Sequence, residues 1–408
     1  MEKSTNYVMD LNSTSANLCL NFAGRSFLPM MLAPMAGVTD VVYRKICRRF
    51  ARSGMCEQSN SQPQTTTAQN ALEPGLFVGE MVAARAISGQ ISTAKRHLVF
   101  DSSETFRSMQ LYPLDAHFAG EAARIVSNEN LADHIDMNFG CPVRKVTANG
   151  GGSAIPWKLD LYRDIVSAVV ENAGGLPVSA KFRIGLDDAH TTYHEAGAIA
   201  AELGCKAVTL HARTTKQYYS GVADWKHIKI LKNELMSAFG SSVKVLGNGD
   251  IWGTPDAQKM LELTNADGVC IGRGAYGRPW IFKELTEFFT TGKVTPFRPT
   301  LGEVVEIMLE HLRELISYIQ AHDEKKCGHE QLAYKYFRSF IAPYLKGFPI
   351  GGSAKVQLMS ATTYDELAVL LGGLPAELEY PLRIENKPRG RTKGTAKVFL
   401  PEHWMDSR

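Results

Sequence analysis

Eight short apolar runs recur along this chain, and stretches of helical periodicity separate most of them. They read Met31-Leu32-Ala33-Pro34, Leu76 to Met81, Arg107 to Leu111, His134 to Asn138, Val178 to Phe182, Ala207 to His211, Val243 to Gly247 and Gly268 to Gly272. Each has the length of a strand, and several are rich in Val and Ile. Leu161 to Val170 places Leu161, Ile165, Ala168 and Val169 on one helical face; His194 to Leu203 and Asp256 to Leu263 are further helices. Strand then helix, eight times over roughly 250 residues, predicts an α/β chain folded as a (β/α)₈ TIM barrel. A doubly wound open sheet also alternates strands and helices. The count of eight and the polar residues ending the strands favour the barrel.

Two regions fall outside the alternation. Arg52 to Pro74 contains SNSQPQTTTAQN, has no apolar period, and reads as a long loop between the first two strands. After Pro299 the chain turns amphipathic and helical over Leu301 to Ala321, Gln331 to Tyr344 and Tyr364 to Leu371. The expected organisation is an N-terminal extension (1–27), the barrel (28–298, with the 52–74 insertion), a small C-terminal helical domain (299–375) and a basic, Gly/Pro-rich tail (376–408). The tail is either an ordered strap or a disordered arm.

Composition excludes several classes. Of 408 residues 44% are hydrophobic and 21% charged, an ordinary globular balance, and a net charge of +3 permits an anionic partner without demanding one. The seven cysteines form no CxxC pair, which argues against a zinc ribbon or other metal site and fits a reducing, cytoplasmic setting. Cys205 and Cys270 lie in apolar runs and read as small core residues. No apolar stretch approaches the ~20 residues of a membrane span, and residues 1–25 lack the basic and apolar regions of a signal peptide.

In a barrel, chemistry sits at the C-terminal strand ends. Here those ends carry Pro34-Met35-Ala36-Gly37, Glu80-Met81, Gln110, Asn138 with Cys141 just beyond, Lys181, His211 with Arg213, Asn248-Gly249-Asp250 and Gly272-Arg273. The last two groups predict a phosphate pocket, because glycines let backbone N–H groups approach an anion and Arg273 adds charge; the alternative for these glycines is plain turn chemistry. The GxGxxG match at 272–277 closes the last unit rather than the first, so it is not read as a dinucleotide fingerprint. Lys181 in a barrel mouth needs an anionic or electron-rich partner. Cys141, between Gly140 and Pro142, is a usable acid near neutral pH; its bland alternative is an inert small hydrophobe.

The stretches MLAPMAGVTD (31–40), MNFGCPVRKVTANGGGSAI (137–155), AKFRIG (180–185), LHARTTKQYYSG (210–221), VLGNGDI (245–251) and GVCIGRGAYGRPWIF (268–282) resemble the tRNA-dihydrouridine synthases, most closely the bacterial DusB-like branch. The likeness covers residues 28 to 370. It implies FMN in the barrel mouth, lined by Pro34, Met35 and Ala36. Gln110 would sit at the flavin's pyrimidine edge, with Lys181 and His211 near the ring. Asn248, Gly249, Asp250, Gly272 and Arg273 would hold the phosphate end. Cys141 would be the general acid, and Asn138, Lys145 and Arg213 would face the uracil or the RNA. NADPH (or NADH) would reduce the flavin, hydride would go to uracil C6, and Cys141 would protonate C5 of a uridine turned out of the tRNA stack. The enzyme is read as a monomer. Lys335, Arg338, Arg389, Arg391 and Lys393 are candidates to grip the RNA, or simply a solvated charged face. The rivals are a dihydroorotate dehydrogenase-like barrel acting on a small pyrimidine and a tRNA-binding protein with a dead site. Three features depart from the pattern: the long 52–74 run, Ala212 where Gly is common, and the tail past about Pro381.

Overall fold

The structure, a computed structural model, describes residues 19–56, 72–90, 96–323, 327–390, 392 and 394–408. The first 18 residues of the expected extension, residues 57–71 of the insertion, and Arg391 and Lys393 lie outside the described residues.

Eight parallel strands close into a barrel: β1 (Met30–Leu32), β2 (Leu76–Ala83), β3 (Ser108–Tyr112), β4 (His134–Phe139), β5 (Val178–Arg183), β6 (Ala207–His211), β7 (Lys244–Asn248) and β8 (Gly268–Ile271). Each pairs with its neighbours in sequence, and β8 closes on β1 through Val269–Met30 to Ile271–Leu32. The outer ring holds α1 (Val41–Cys56), α2 (Ala116–Asn128), α3 (Leu159–Asn172), α4 (Tyr193–Glu202), α5 (Lys226–Phe239), α6 (Thr254–Thr264) and α7 (Ile281–Thr291). Helix α1 runs through Cys56, further than the loop expected from Arg52 allows. Its buried Val42, Ile46 and Ala51 continue the helical stripe, and Arg52 leaves the polar face to donate to Ser103 O at 2.9 Å.

The barrel interior is polar over half its circumference. Ser108, Gln110, His134, Asp136, Asn138, Ser179, Lys181, Thr209 and His211 follow one period-2 face of β3 to β6, and pair across strands as Gln110–Asp136, Asn138–Lys181 and Thr209–Lys181. The outward positions of these strands are apolar. The remaining interior is a separate apolar cluster of Leu20, Phe22, Phe27, Met31, Leu76, Phe106, Leu246 and their neighbours. Its base is a hairpin, Leu20–Phe22 paired with Arg25–Phe27, ahead of β1. Phe22 sets its ring edge-on to His134 at 4.9 Å, and Phe27 meets Phe106 at 5.1 Å, so the hairpin closes the N-terminal end of the barrel.

Four helices follow: α8 (Leu301–His322), α9 (His329–Tyr344), α10 (Gly352–Ser360) and α11 (Tyr364–Gly372). Thr300 and Glu303 form a capping box that starts α8. Buried His311 on α8 stacks on Tyr43 of α1 at 5.4 Å and meets Phe340 of α9 at 4.6 Å, so barrel and helical region share one core. Gly277 seals this joint: a Cβ there would stand 2.4 Å from the Pro343 carbonyl carbon. Among the described residues no helix is long and apolar enough to cross a membrane.

The described residues of the tail run as a strap against the barrel. Beyond Leu382 it passes Gly253 through Asn386 and brings Gly390 beside Arg273. It then bonds Lys216 O through Ala396 N at 3.0 Å and ends against the loop after β4. Arg389, a candidate RNA contact or solvated charge, is instead buried, donating to Pro343 O and to Tyr380 at 3.0 Å each. Lys335 is exposed and Arg338 half-buried over the Tyr334 ring.

Candidate active site at the barrel mouth

A cavity of about 410 Å³ opens at the C-terminal strand ends. Pro34, Met35 and Ala36 enter it from the loop after β1, Gln110 from β3, Asn138 from β4 with Cys141 beyond it, and Lys181 from β5. His211 comes from β6, Asn248, Gly249 and Asp250 from the end of β7, and Gly272 and Arg273 from the end of β8. Two of the expected residues stand outside it. Lys145 is exposed on the short helix Arg144–Thr147, and Arg213 is buried behind the wall.

On one side of the mouth, side-chain amides form a chain with a fixed direction. Asp136, buried at the barrel axis, accepts from Gln110 Nε2 at 2.7 Å and from the Ser179 hydroxyl. Gln110 Oε1 accepts from Asn138 Nδ2 at 2.8 Å. Asn138 Oδ1 then accepts from the N–H groups of Gly140 (3.1 Å) and Cys141 (3.0 Å). An ionised carboxylate can only accept and two backbone N–H groups can only donate, so both amides between them have one consistent orientation. Below Asp136, His134 bridges Ser108 and Ser179 at 2.6 and 2.9 Å. Burial pushes Asp136 up to about 6 and His134 down to about 3.

Cys141 is held from three directions. Its N–H is fixed by Asn138, its carbonyl accepts from Ser153 N and Oγ at 3.1 Å each, and Arg183 Nε donates to the preceding Gly140 O at 2.8 Å. Burial raises the thiol above its ordinary range, against the Val143 N–H, Arg183 and Lys145, which pull it down. The thiol therefore carries its proton at neutral pH.

The opposite side is cationic. Lys181 Nζ donates to Asn248 Oδ1 at 3.0 Å, and Asn248 Nδ2 donates to Cys270 O at 2.7 Å. Burial lowers Lys181, and Arg183 adds to the effect. Burial, with Arg183, Lys181, Arg213 and Arg273 around it, holds His211 well below its ordinary range, so its imidazole is neutral. Asp250 receives Arg213 Nη2 on both oxygens at 2.8 and 2.7 Å, and Arg273 Nη2 at 3.1 Å. Burial, chiefly, lowers Arg273 to about 10.

The residues present fit a phosphate-bearing flavin. Arg213 Nη1 is buried without a hydrogen-bond partner among the described residues, near Gly249. Gly249 takes φ +124°, which opens its backbone as a side chain would not allow. A Cβ on Gly272 would meet only ordinary contacts at 3.7 Å with Ala33 and Met35. Internal packing does not require glycine there, whereas close approach by a ligand would.

Sequence reasoning passed over Arg183, Asp136 and Tyr219. Arg183 follows Lys181 by two, and Asp136 precedes Asn138 by two, so the strand period carried both signals. Tyr219 lies 4.9 Å from the Arg273 guanidinium and 5.5 Å from that of Arg183, a placement set by loop geometry.

The profile of the family described as Dihydrouridine synthase (Dus) matches residues 31–349. A probable tRNA-dihydrouridine synthase of Mycobacterium leprae is 43% identical over 384 residues, 92% of this chain and 95% of the relative. One of Rickettsia bellii is 35% identical over 292 residues, covering 71% and 79% of the two chains. The tRNA-dihydrouridine synthase B of Vibrio cholerae is 35% identical over 286 residues, covering 70% and 79%. With the barrel, the cavity and these likenesses together, the chain belongs to the dihydrouridine synthase family.

Proposed function

We propose that this chain reduces uridines in tRNA to 5,6-dihydrouridine, using FMN and NADPH or NADH. The observation that carries the reading is the Cys141 thiol sharing one cavity with Lys181, His211 and Arg273 at the C-terminal strand ends. When bound, FMN supplies the hydride that adds to uracil C6.

Pro34, Met35 and Ala36 would line the flavin. Gln110, its Oε1 committed to Asn138, offers N–H to the pyrimidine edge. Lys181 places positive charge near the ring, while neutral His211 contributes a hydrogen bond rather than charge. Asn248, Gly249, Asp250, Gly272 and Arg273 surround the phosphate end, with Asp250 acting through its backbone because its carboxylate is held by two arginines. Arg213 belongs with this end rather than with the RNA. Asn138 faces the substrate side, and Lys145 lies on the outer rim where a polyanion would arrive.

Cys141 gives its proton to uracil C5, completing the two hydrogens added across the C5–C6 bond, and solvent returns the proton to the thiolate. Arg183 and Asn138 hold the Gly140–Cys141 backbone so that the thiol meets one face of a base turned into the cavity.

The test is direct. The purified protein is expected to be yellow, to release FMN on denaturation, and to form dihydrouridine in tRNA that lacks it. Mapping dihydrouridine in cells without this gene identifies the position. Colourless protein sinks the flavin reading. Turnover of a free pyrimidine with no change in tRNA would support the small-pyrimidine reading instead.

A further inference from the structure

The family profile ends at residue 349, yet the chain continues as a strap that returns to the loop carrying Cys141. That loop is a compact excursion. Its inner side is held by Asn138, Arg183 and Ser153, as described. Its outer side is covered by Trp404. The indole Nε1 donates to Ala154 O at 3.2 Å, one residue beyond the Ser153 that holds the Cys141 carbonyl. The indole ring lies on Gly150, where a Cβ would stand 2.7 Å from the ring. Gly150 also takes φ +75°, so both the turn and the indole require glycine.

Further contacts fix the strap on either side of Trp404. Lys158 Nζ donates to Ser407 O at 2.7 Å and to its hydroxyl at 2.8 Å. The Arg144 guanidinium lies 4.2 Å from the Phe399 ring centroid, and Arg408 pairs with Glu195. These contacts tie the strap to the Cys141 loop itself through Arg144 and to the segments that follow it through Lys158 and Glu195.

We propose that the C-terminal strap is a positioning element for Cys141, with Trp404 bracing the 141–154 loop from outside so that the thiol stays at the cavity. The proposal rests on the functional reading above, because the thiol's placement matters only if it delivers a proton. Displacing a reacting group by about 1 Å can cost up to about 100-fold. A partly exposed brace, one of several supports, is expected to account for roughly a tenfold part of that.

The test compares Trp404→Ala, Trp404→Phe and Phe399→Ala in the full-length protein. In Trp404→Ala, kcat for dihydrouridine formation is expected to fall roughly tenfold, with KM for tRNA and the rate of flavin reduction by NADPH unchanged. Trp404→Phe, which keeps a ring on Gly150, is expected to recover most of the loss, and Phe399→Ala to show a smaller defect. Independently, the cofactor-free chain is treated with iodoacetamide and Cys141 alkylation is read by peptide mass spectrometry against the exposed Cys19 and Cys327. That rate is expected to rise several-fold in Trp404→Ala. Unchanged alkylation and kcat would overturn the proposal. So would a rise in KM alone, which would make the strap an RNA contact instead. If the wild type makes no dihydrouridine, the functional reading fails, while the alkylation measurement still decides whether the brace exists.

Discussion

The two sides of the mouth are built on opposite electrostatic plans. Around β3 and β4, the amides of Gln110 and Asn138 run between one buried carboxylate and two backbone N–H groups, and each contact supports the next. Around the ends of β6 to β8, Arg213 and Arg273 both pair with Asp250, and Arg213 Nη1, buried, has no hydrogen-bond partner among the described residues. The first side is complete within the protein. The second leaves a buried cationic nitrogen open, which on the proposed reading an anion would complete. A site that must hold one ligand through many turnovers while admitting another benefits from that division, because the lasting ligand supplies missing charge and the visiting one meets a finished surface.

The sharpest way to test the contrast is to remove the thiol. Cys141→Ala is expected to keep FMN and tRNA binding and to lose roughly 10²- to 10⁴-fold in product formation under single-turnover conditions, the range of a general acid. Wild-type turnover would remove Cys141 from the chemistry.

Next comes the carboxylate under the amide chain. Asp136 titrates higher in the fold than its ordinary 3.8, at about 6, so the protonated form is favoured by folding. Its stabilising contribution is full below pH 3.8 and is lost as pH rises through 6, by roughly 3 kcal/mol. Asp136→Asn lacks this dependence. Urea unfolding at pH 4 and pH 7 is expected to show the variant gaining on the wild type by up to about that amount at the higher pH. A pH-independent difference would mean that Asp136 does not titrate in this range.

The smallest effect concerns the cationic side. Arg273→Ala is expected to weaken FMN binding roughly 10- to 100-fold, the worth of one charge-assisted contact, with most of kcat recovered at saturating FMN. Fluorescence titration measures it. A loss of kcat without a loss of affinity would place Arg273 with the reacting atoms instead.

Much of this was legible in the chain. The expected strands Ala207 to His211 and His134 to Asn138 lie within a residue of β6 and β4, because a strand buried on both sides punctuates the sequence clearly. The rim residues followed from the strand ends. Asp136 and Arg183 were passed over because the runs were read for average apolarity, which hides a polar inner face between apolar outer positions. Helix α10 escaped because it opens on glycine and buries only Leu358, leaving no apolar stripe to detect. The course of the strap had no local signature, since it depends on Trp404 meeting a glycine 254 positions earlier.

The hairpin beneath the barrel has a kinetic consequence. With Phe22 and Phe27 packed across the lower end, the cavity opens at the C-terminal strand ends. On the proposed reading, a dinucleotide reductant and a folded RNA would both reach the cavity from that end. On that reading they would take turns, the first departing before the second arrives, with the electrons held inside between visits. Ping-pong kinetics would then follow from the plugged floor as much as from the chemistry above it.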